Sequence, residues 1–176
     1  FGDTAIGSWP PSARLIDMTG MENLAQVAAW PATLENLAIK QAPDLAEVPA
    51  WPINLLGLQL WYVDALASLP QFPPGLETIG LLSNGLDTLS PALESLPPWP
   101  TNIRQIFLAS MDFTELPSFP AGLQSLDISY LHQLTCLPVL PEGLQLLYLD
   151  ADGLPLAPTS VTCLPNFPPN ATVNWG

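Results

Sequence analysis

The sequence predicts a solenoid of short, mostly β coils, each giving one strand to a single parallel sheet, with Pro-rich segments running back along the other side. Three observations carry this. A bulky apolar residue followed by Pro recurs at Trp9, Trp30, Trp51, Phe72, Trp99, Phe119, Leu140 and Phe167, with gaps of 21, 21, 21, 27, 20, 21 and 27. An apolar frame of the form L-x-x-L-x-L follows seven of these starts. Hydrophobic residues make up 48% and charged residues 11%, so the chain can bury a core even though it holds 22 prolines. Self-similarity at a fixed short period is the mark of a stacked repeat architecture.

Each coil can be justified from its start onward. The first frame position reads Ala13, Leu34, Leu55, Leu76, Ile103, Leu123 and Leu144. Three residues on come Ile16, Leu37, Leu58, Ile79, Ile106, Leu126 and Leu147, and two further Met18, Ile39, Leu60, Leu81, Leu108, Ile128 and Leu149. A strand alternates its faces, so the last two positions point inward and their neighbours outward. No unit could bury that apolar face alone, and stacking supplies the partner.

The return half follows. A Leu or Phe recurs at Leu24, Leu45, Leu66, Leu86, Phe113, Leu134 and Leu154, then Val27, Val48, Leu69, Leu96, Leu116, Leu137 and Leu164, usually before Pro. Pro has no N–H and a fixed φ, which suits an extended return path outside the hydrogen-bonded ladder. The tryptophans and phenylalanines at the unit starts are expected to fill the inside of that return. The two 27-residue units are read as carrying their six extra residues at Ser90 to Ser95 and Pro155 to Ser160, bulging from the convex side or an edge. The last unit sets Ala171 and Asn174 where large apolar residues belong, as at a polar cap or an interrupted array.

The frame, repeated seven times, resembles the leucine-rich repeat, and the closing L-P-x-[FWL]-P segment with its period near 21 resembles the short bacterial class of that family. The resemblance runs from Trp9 to about Trp175. It implies a solenoid of the α/β-horseshoe class, mostly β, over one domain of residues 1–176, with the parallel sheet on the concave face and polyproline II or 3-10 return segments on the convex face. One departure is plain. Three residues after the last frame position the family carries Asn, whose amide bonds the turn, but here stand Met21, Ala42, Val63, Asn84, Met111, Leu131 and Asp152. The turn is then left to backbone or water.

Outward strand positions define the face open to partners. The central column reads Asp17, Ala38, Gln59, Gly80, Phe107, Asp127, Tyr148 and Trp175; the column after it reads Thr19, Lys40, Trp61, Leu82, Ala109, Ser129 and Asp150. Trp61 has no place in the core frame. With Leu82, Phe107 and Tyr148 it is expected to make an exposed aromatic strip, flanked by Gln59 and Asp127, with Tyr62 and Tyr130 at the rim. Large rings on a rigid surface serve as interface anchors; the plainer reading is that they cover one another across strands.

Charge narrows the partners. Three basic residues stand against 16 acids, for a net charge of −13, which leaves no electrostatic route to nucleic acid or anionic membranes. No apolar run is long enough to span a membrane, and residues 1–10 do not read as a signal peptide. A protein partner fits best. A glycan, which also stacks on Trp and Tyr, is the alternative, as is a fixed accessory subunit of an outer-membrane complex, which a mean hydropathy of +0.30 favours.

Other motifs carry less. Cys136 and Cys163 share the contexts "LTCLPVLP" and "VTCLPNFP", close enough in stacked coils for a disulfide, although two buried thiols would read alike. Asp150 to Gly153 resembles a fragment of a calcium loop, but the further ligands and their spacing are missing, so no metal site is expected. Asn170-Ala171-Thr172 is a lone glycosylation sequon. His132, the one histidine, sits just after a strand without a nucleophile in evident reach. No cofactor and no enzymatic activity are expected. Effectors of similar repeat type deliver a separate ubiquitin-ligase domain, for which this chain lacks the residues. Acidity, scarce Lys and the cysteine pair point to an exported bacterial protein, extracellular or at the cell surface.

Overall fold

The structure, a computed structural model, describes residues 5–83, 92–131, 133–150 and 161–175. Its main feature is one parallel sheet of eight strands: β2 (Leu15–Thr19), β4 (Asn36–Lys40), β5 (Gly57–Trp61), β6 (Thr78–Leu82), β7 (Gln105–Ala109), β8 (Ser125–Ser129), β9 (Leu146–Asp150) and β10 (Thr172–Trp175). They lie in chain order, one per coil. A short second sheet pairs β1 (Ala5–Ile6) with β3 (Gln26–Val27) on the return path. No helix occurs among the described residues. The described parts of the return segments are therefore built without the 3-10 helix expected of some of them.

The register follows the apolar frame. Leu37 pairs with Leu58, Leu58 with Ile79, Ile79 with Ile106, and Ile39 with Leu60 in the next inward column. A slip of one residue would turn these columns to water, so the leucines pin the pairing. The inward side chains from Ile16 to Leu149 join the first frame residues Leu34, Leu55, Leu76, Ile103, Leu123 and Leu144 in one continuous buried cluster. Burial of a Leu contributes roughly 1.5–3 kcal/mol.

The unit-start prolines have a positive role as well as a permissive one. In all eight coils the Pro carbonyl accepts a hydrogen bond from the N–H three residues on, as in Leu55 N to Pro52 O at 3.1 Å and Leu123 N to Pro120 O at 3.1 Å. A turn in which only the first carbonyl is needed loses nothing by the missing Pro N–H. Thr33 Oγ1 and Asn54 Nδ2 then tie the entry turn to the previous coil, donating to Ala13 O and Ala32 O, each at 2.8 Å.

The unit-start aromatics form a ladder of their own. Trp9, Trp30 and Trp51 stack with centroids 5.4 and 6.3 Å apart, and Phe72 stacks on Trp99 at 5.7 Å. Three indoles donate to the neighbouring coil: Trp9 Nε1 to Ala28 O at 3.3 Å, Trp51 Nε1 to Pro70 O at 3.2 Å and Trp99 Nε1 to Pro117 O at 3.2 Å. Trp30 Nε1 is buried without a partner. Where the family's asparagine is missing, apolar side chains take the place: Ala42, Met111 and Leu131 are buried in the core, with Met21 and Val63 packed against it. Asn84 and Asp152 lie outside the described residues.

Several expectations are corrected here. Leu93 is buried, and Ala92 N donates to Asp64 O just as Ala65 N donates to Pro43 O one coil earlier, so Leu93 takes the column assigned to Leu86. Val161 likewise packs on the core in the place given to Leu154. The extra residues therefore precede both, within 84–91 and 151–160, which lie outside the described residues together with Leu86, Leu154 and Pro155 to Ser160. In the last coil Asn174 pairs with Tyr148 and Trp175 with Leu149, so Asn174, not Trp175, falls in the central column. One residue fewer before the strand shifts the register by one and brings Val173 opposite Leu147. Phe167 is 58% exposed, unlike the buried Trp30, Trp51, Phe72 and Trp99, because β10 is the edge strand and its coil has a neighbour on one side.

With the extra residues placed upstream, Cys136 and Cys163 meet in register. Their backbones form a parallel bridge, their Cα atoms are 4.5 Å apart, and a disulfide joins them. Beside it Asn166 clamps the backbone of Leu140, accepting from its N–H and donating to its carbonyl, both at 2.9 Å.

Candidate functional site

The open face of the sheet is shaped by what its central column lacks. Gly80 lies between Gln59 on β5 and Phe107 on β7 in that column. A Cβ on Gly80 would stand 3.6 Å from Trp61 Nε1 and 3.8 Å from Phe107 Cδ1, ordinary contact distances. The Trp61 ring thus leans diagonally across β6 and rests over the glycine. What results is a cavity of about 370 Å³ floored by Gly80 and walled by Trp61 and Phe107. Ligand sites begin at roughly 300 Å³.

Polar groups ring the same cavity. Gln59 and Thr78 line it on one side, Gln105 and Ser125 on the other, and Asp127 closes its far end. Asp127 is flanked by Phe107 and Tyr148 on the adjoining strands, and its carboxylate accepts from Ser129 Oγ at 3.1 Å. Burial beside those residues pushes the Asp127 pKa up, and the Ser129 hydrogen bond pulls it back in part.

Trp61 is less exposed than a free aromatic strip would have it. The ring is half-buried, its N–H is enclosed without a partner, and Lys40 Nζ lies 4.8 Å from the ring centroid. Lys40 also reaches Asp17 Oδ2 at 3.5 Å, so an acid, a cation and a ring stand in line across β2, β4 and β5. Packing over Gly80 and beneath Lys40 accounts for much of what the core frame left unexplained. Leu82 and Phe107 are half-buried too, and Tyr148 is the one member of the strip classed as exposed, at 36%.

The rim residues cluster differently. Tyr62 and Tyr130 follow their strands directly with φ of 58° and 55°, as do Gln41 at 59° and Ser110 at 55°; Gly20 has 72°. Five strands of the main sheet, β2, β4, β5, β7 and β8, thus end on one left-handed residue, a conformation that costs non-glycine residues roughly 1–2 kcal/mol. Only Gly20 signals this in the sequence. Tyr62 belongs to a second hollow of about 480 Å³ with Glu22, Gln41, Pro43 and Asp64. Tyr130 does not line either hollow. His132 and residues 151–153 of the acidic stretch lie outside the described residues.

Sequence reading had named Trp61, Phe107, Gln59 and Asp127, and the structure brings these four to one cavity. It missed Gly80, Gln105, Thr78 and Ser125. The signal was present: Gly80 is the one glycine in the central column, beside the two bulkiest outward residues of its neighbouring strands.

No protein-family model matches the chain, and no curated protein matches it. Among solved structures, YopM from Yersinia enterocolitica WA-314 superposes with a TM-score of 0.53 at 20% identity, covering 96% of this chain and 43% of that one. A structure of YopM, a leucine-rich effector protein from Yersinia pestis, aligns at 21% identity with a TM-score of 0.48, over 98% of this chain and 62% of its own. The chain spans less than two thirds of the length of each. The first likeness, together with the repeat frame and the parallel sheet, defines the class: this is a leucine-rich-repeat solenoid, mostly β.

Proposed function

We propose that the chain is a noncatalytic recognition module of an exported bacterial protein, its residues 1–176 acting as one unit, and that it binds a segment of another protein on the open face of the sheet. The observation that carries this reading is the cavity over Gly80. Two large rings, Trp61 and Phe107, stand apart on a rigid sheet with polar groups set around the gap. Anchoring pockets of protein interfaces have this make-up, an aromatic centre within a polar rim. Leu82, Tyr148, Tyr62 and Tyr130 extend the contact surface around it. A disulfide between Cys136 and Cys163 supports an oxidising compartment.

Gly80→Ala separates binding from folding. The added methyl meets its neighbours at ordinary contact distance, so the fold is expected to stand, yet it fills the cavity floor. Peptides selected from a random phage library on the native chain should bind the Gly80→Ala variant at least tenfold more weakly, with thermal unfolding no lower. Selected peptides that bind both proteins alike would place recognition elsewhere.

A further inference from the structure

We propose that the cavity between Trp61 and Phe107 receives an arginine side chain from the partner, with Asp127 as its counter-charge; this rests on the recognition reading and names the partner's chemistry. The chain is short of cations. Of its three basic residues, Arg14 is held by Glu35 and Lys40 by Asp17. Neither hollow includes a basic residue in its lining, although both include carboxylates and Lys40 lies against the Trp61 ring outside the first.

The face already solves the same problem once. Asp17, Lys40 and Trp61 make a row of acid, cation and ring, in which the ring's electron-rich face and the carboxylate share one positive charge. Five strands along, Asp127 lies between Phe107 and Tyr148, an acid set among rings, and among the described residues no ion pair joins it to a basic side chain, Arg104 included. A carboxylate drawn partly out of water without a positive partner is unfavourable, and a partner's cation relieves it.

Geometry selects arginine over lysine. A guanidinium is flat, stacks on aromatic walls and carries five donors in one plane. The cavity offers two ring walls and a ring of acceptors in Gln59, Gln105, Ser125 and Asp127. An ammonium would use the charge and leave the walls and most acceptors idle. The second hollow, lined by Glu22, Asp64 and Tyr62, repeats the acid and ring pairing and offers a further basic residue of the partner a second contact. A net charge of −13 steers such a segment in.

The probe is N-acetyl-arginine methylamide, titrated into the 15N-labelled chain while the Trp61 indole N–H and the Gly80 amide are followed by NMR. Saturable shifts at both signals are expected, lost in Asp127→Asn and in Gly80→Ala; if Asp127→Asn fails to fold, Asp127→Ser serves instead. Equal shifts with the norleucine analogue would make the cavity a simple apolar site and overturn the proposal. So would equal or larger shifts with the lysine or glutamate analogues, or none with arginine. Selected peptides separate the two ideas. If their binding depends on Gly80 but they lack arginine, recognition by this face stands and the arginine assignment falls; if it does not depend on Gly80, both fall.

Discussion

Gly80 and Asp127 show how much of the candidate site turns on single side chains. Gly80 is an absence that lets Trp61 lie across its strand; Asp127 is a charge placed where water is partly excluded. The second has a sign that can be checked. Because burial raises the folded-state pKa of Asp127 above its unfolded value, the protonated form is the one folding favours. That contribution is present below the unfolded pKa and is lost as pH rises through the folded one. Asp127→Asn, which keeps the side chain neutral, is therefore expected to raise the unfolding temperature near neutral pH, with the gain shrinking as the solution is acidified into the carboxylate range. A variant less stable than the native chain at neutral pH would contradict the desolvation argument. Four of the residues named from the sequence, Gln59, Trp61, Phe107 and Asp127, line the cavity, and they were legible because alternation alone assigns outward residues. Gly80 was not, since a pattern of large residues draws attention away from the gap between them.

Among elements, the unit-start indoles link neighbouring coils by stacking and by hydrogen bonds. Trp30 and Trp51 stack in the same column, yet Trp51 Nε1 donates to Pro70 O at 3.2 Å and Trp30 Nε1 has no partner. Replacing each with Phe removes a similar area of ring but a hydrogen bond in one case only. Trp51→Phe is thus expected to lose about 1 kcal/mol more than Trp30→Phe in urea unfolding. Equal losses would mean that stacking, not the indole N–H, ties the coils. The seven strands from β2 to β9 that build the main sheet were legible because the frame repeats without error from Ile16 to Leu149, whereas the short β1 and β3 lie outside that frame. The two long coils were not, and the reason is instructive. Counting forward from the strand led to Leu86 and Leu154, whereas counting back three residues from Leu96 and Leu164 reaches Leu93 and Val161, at the spacing that Leu66 and Leu69 keep. Insertions are absorbed at one point of a coil, so the spacing on the far side is kept. The same count sets Cys163 beside Cys136.

At the scale of the whole molecule, a solenoid fixes its surface by its register. Every outward column is a straight line of residues one coil apart, so a rigid face can be read from the chain once the period is known. Trp175 shows the limit: a deletion of one residue before β10 is invisible to the period and exchanges the two faces of that strand. What the face binds is a separate matter, since scaffolds of one fold host many partners. The account's central claim is that recognition occurs over Gly80. The most direct measurement is a crystal structure of the chain with a peptide selected from a random library. The peptide is expected on the open side of the sheet, with one side chain seated between Trp61 and Phe107. A peptide bound instead along the Pro-rich return segments, with that cavity holding only solvent, would contradict it.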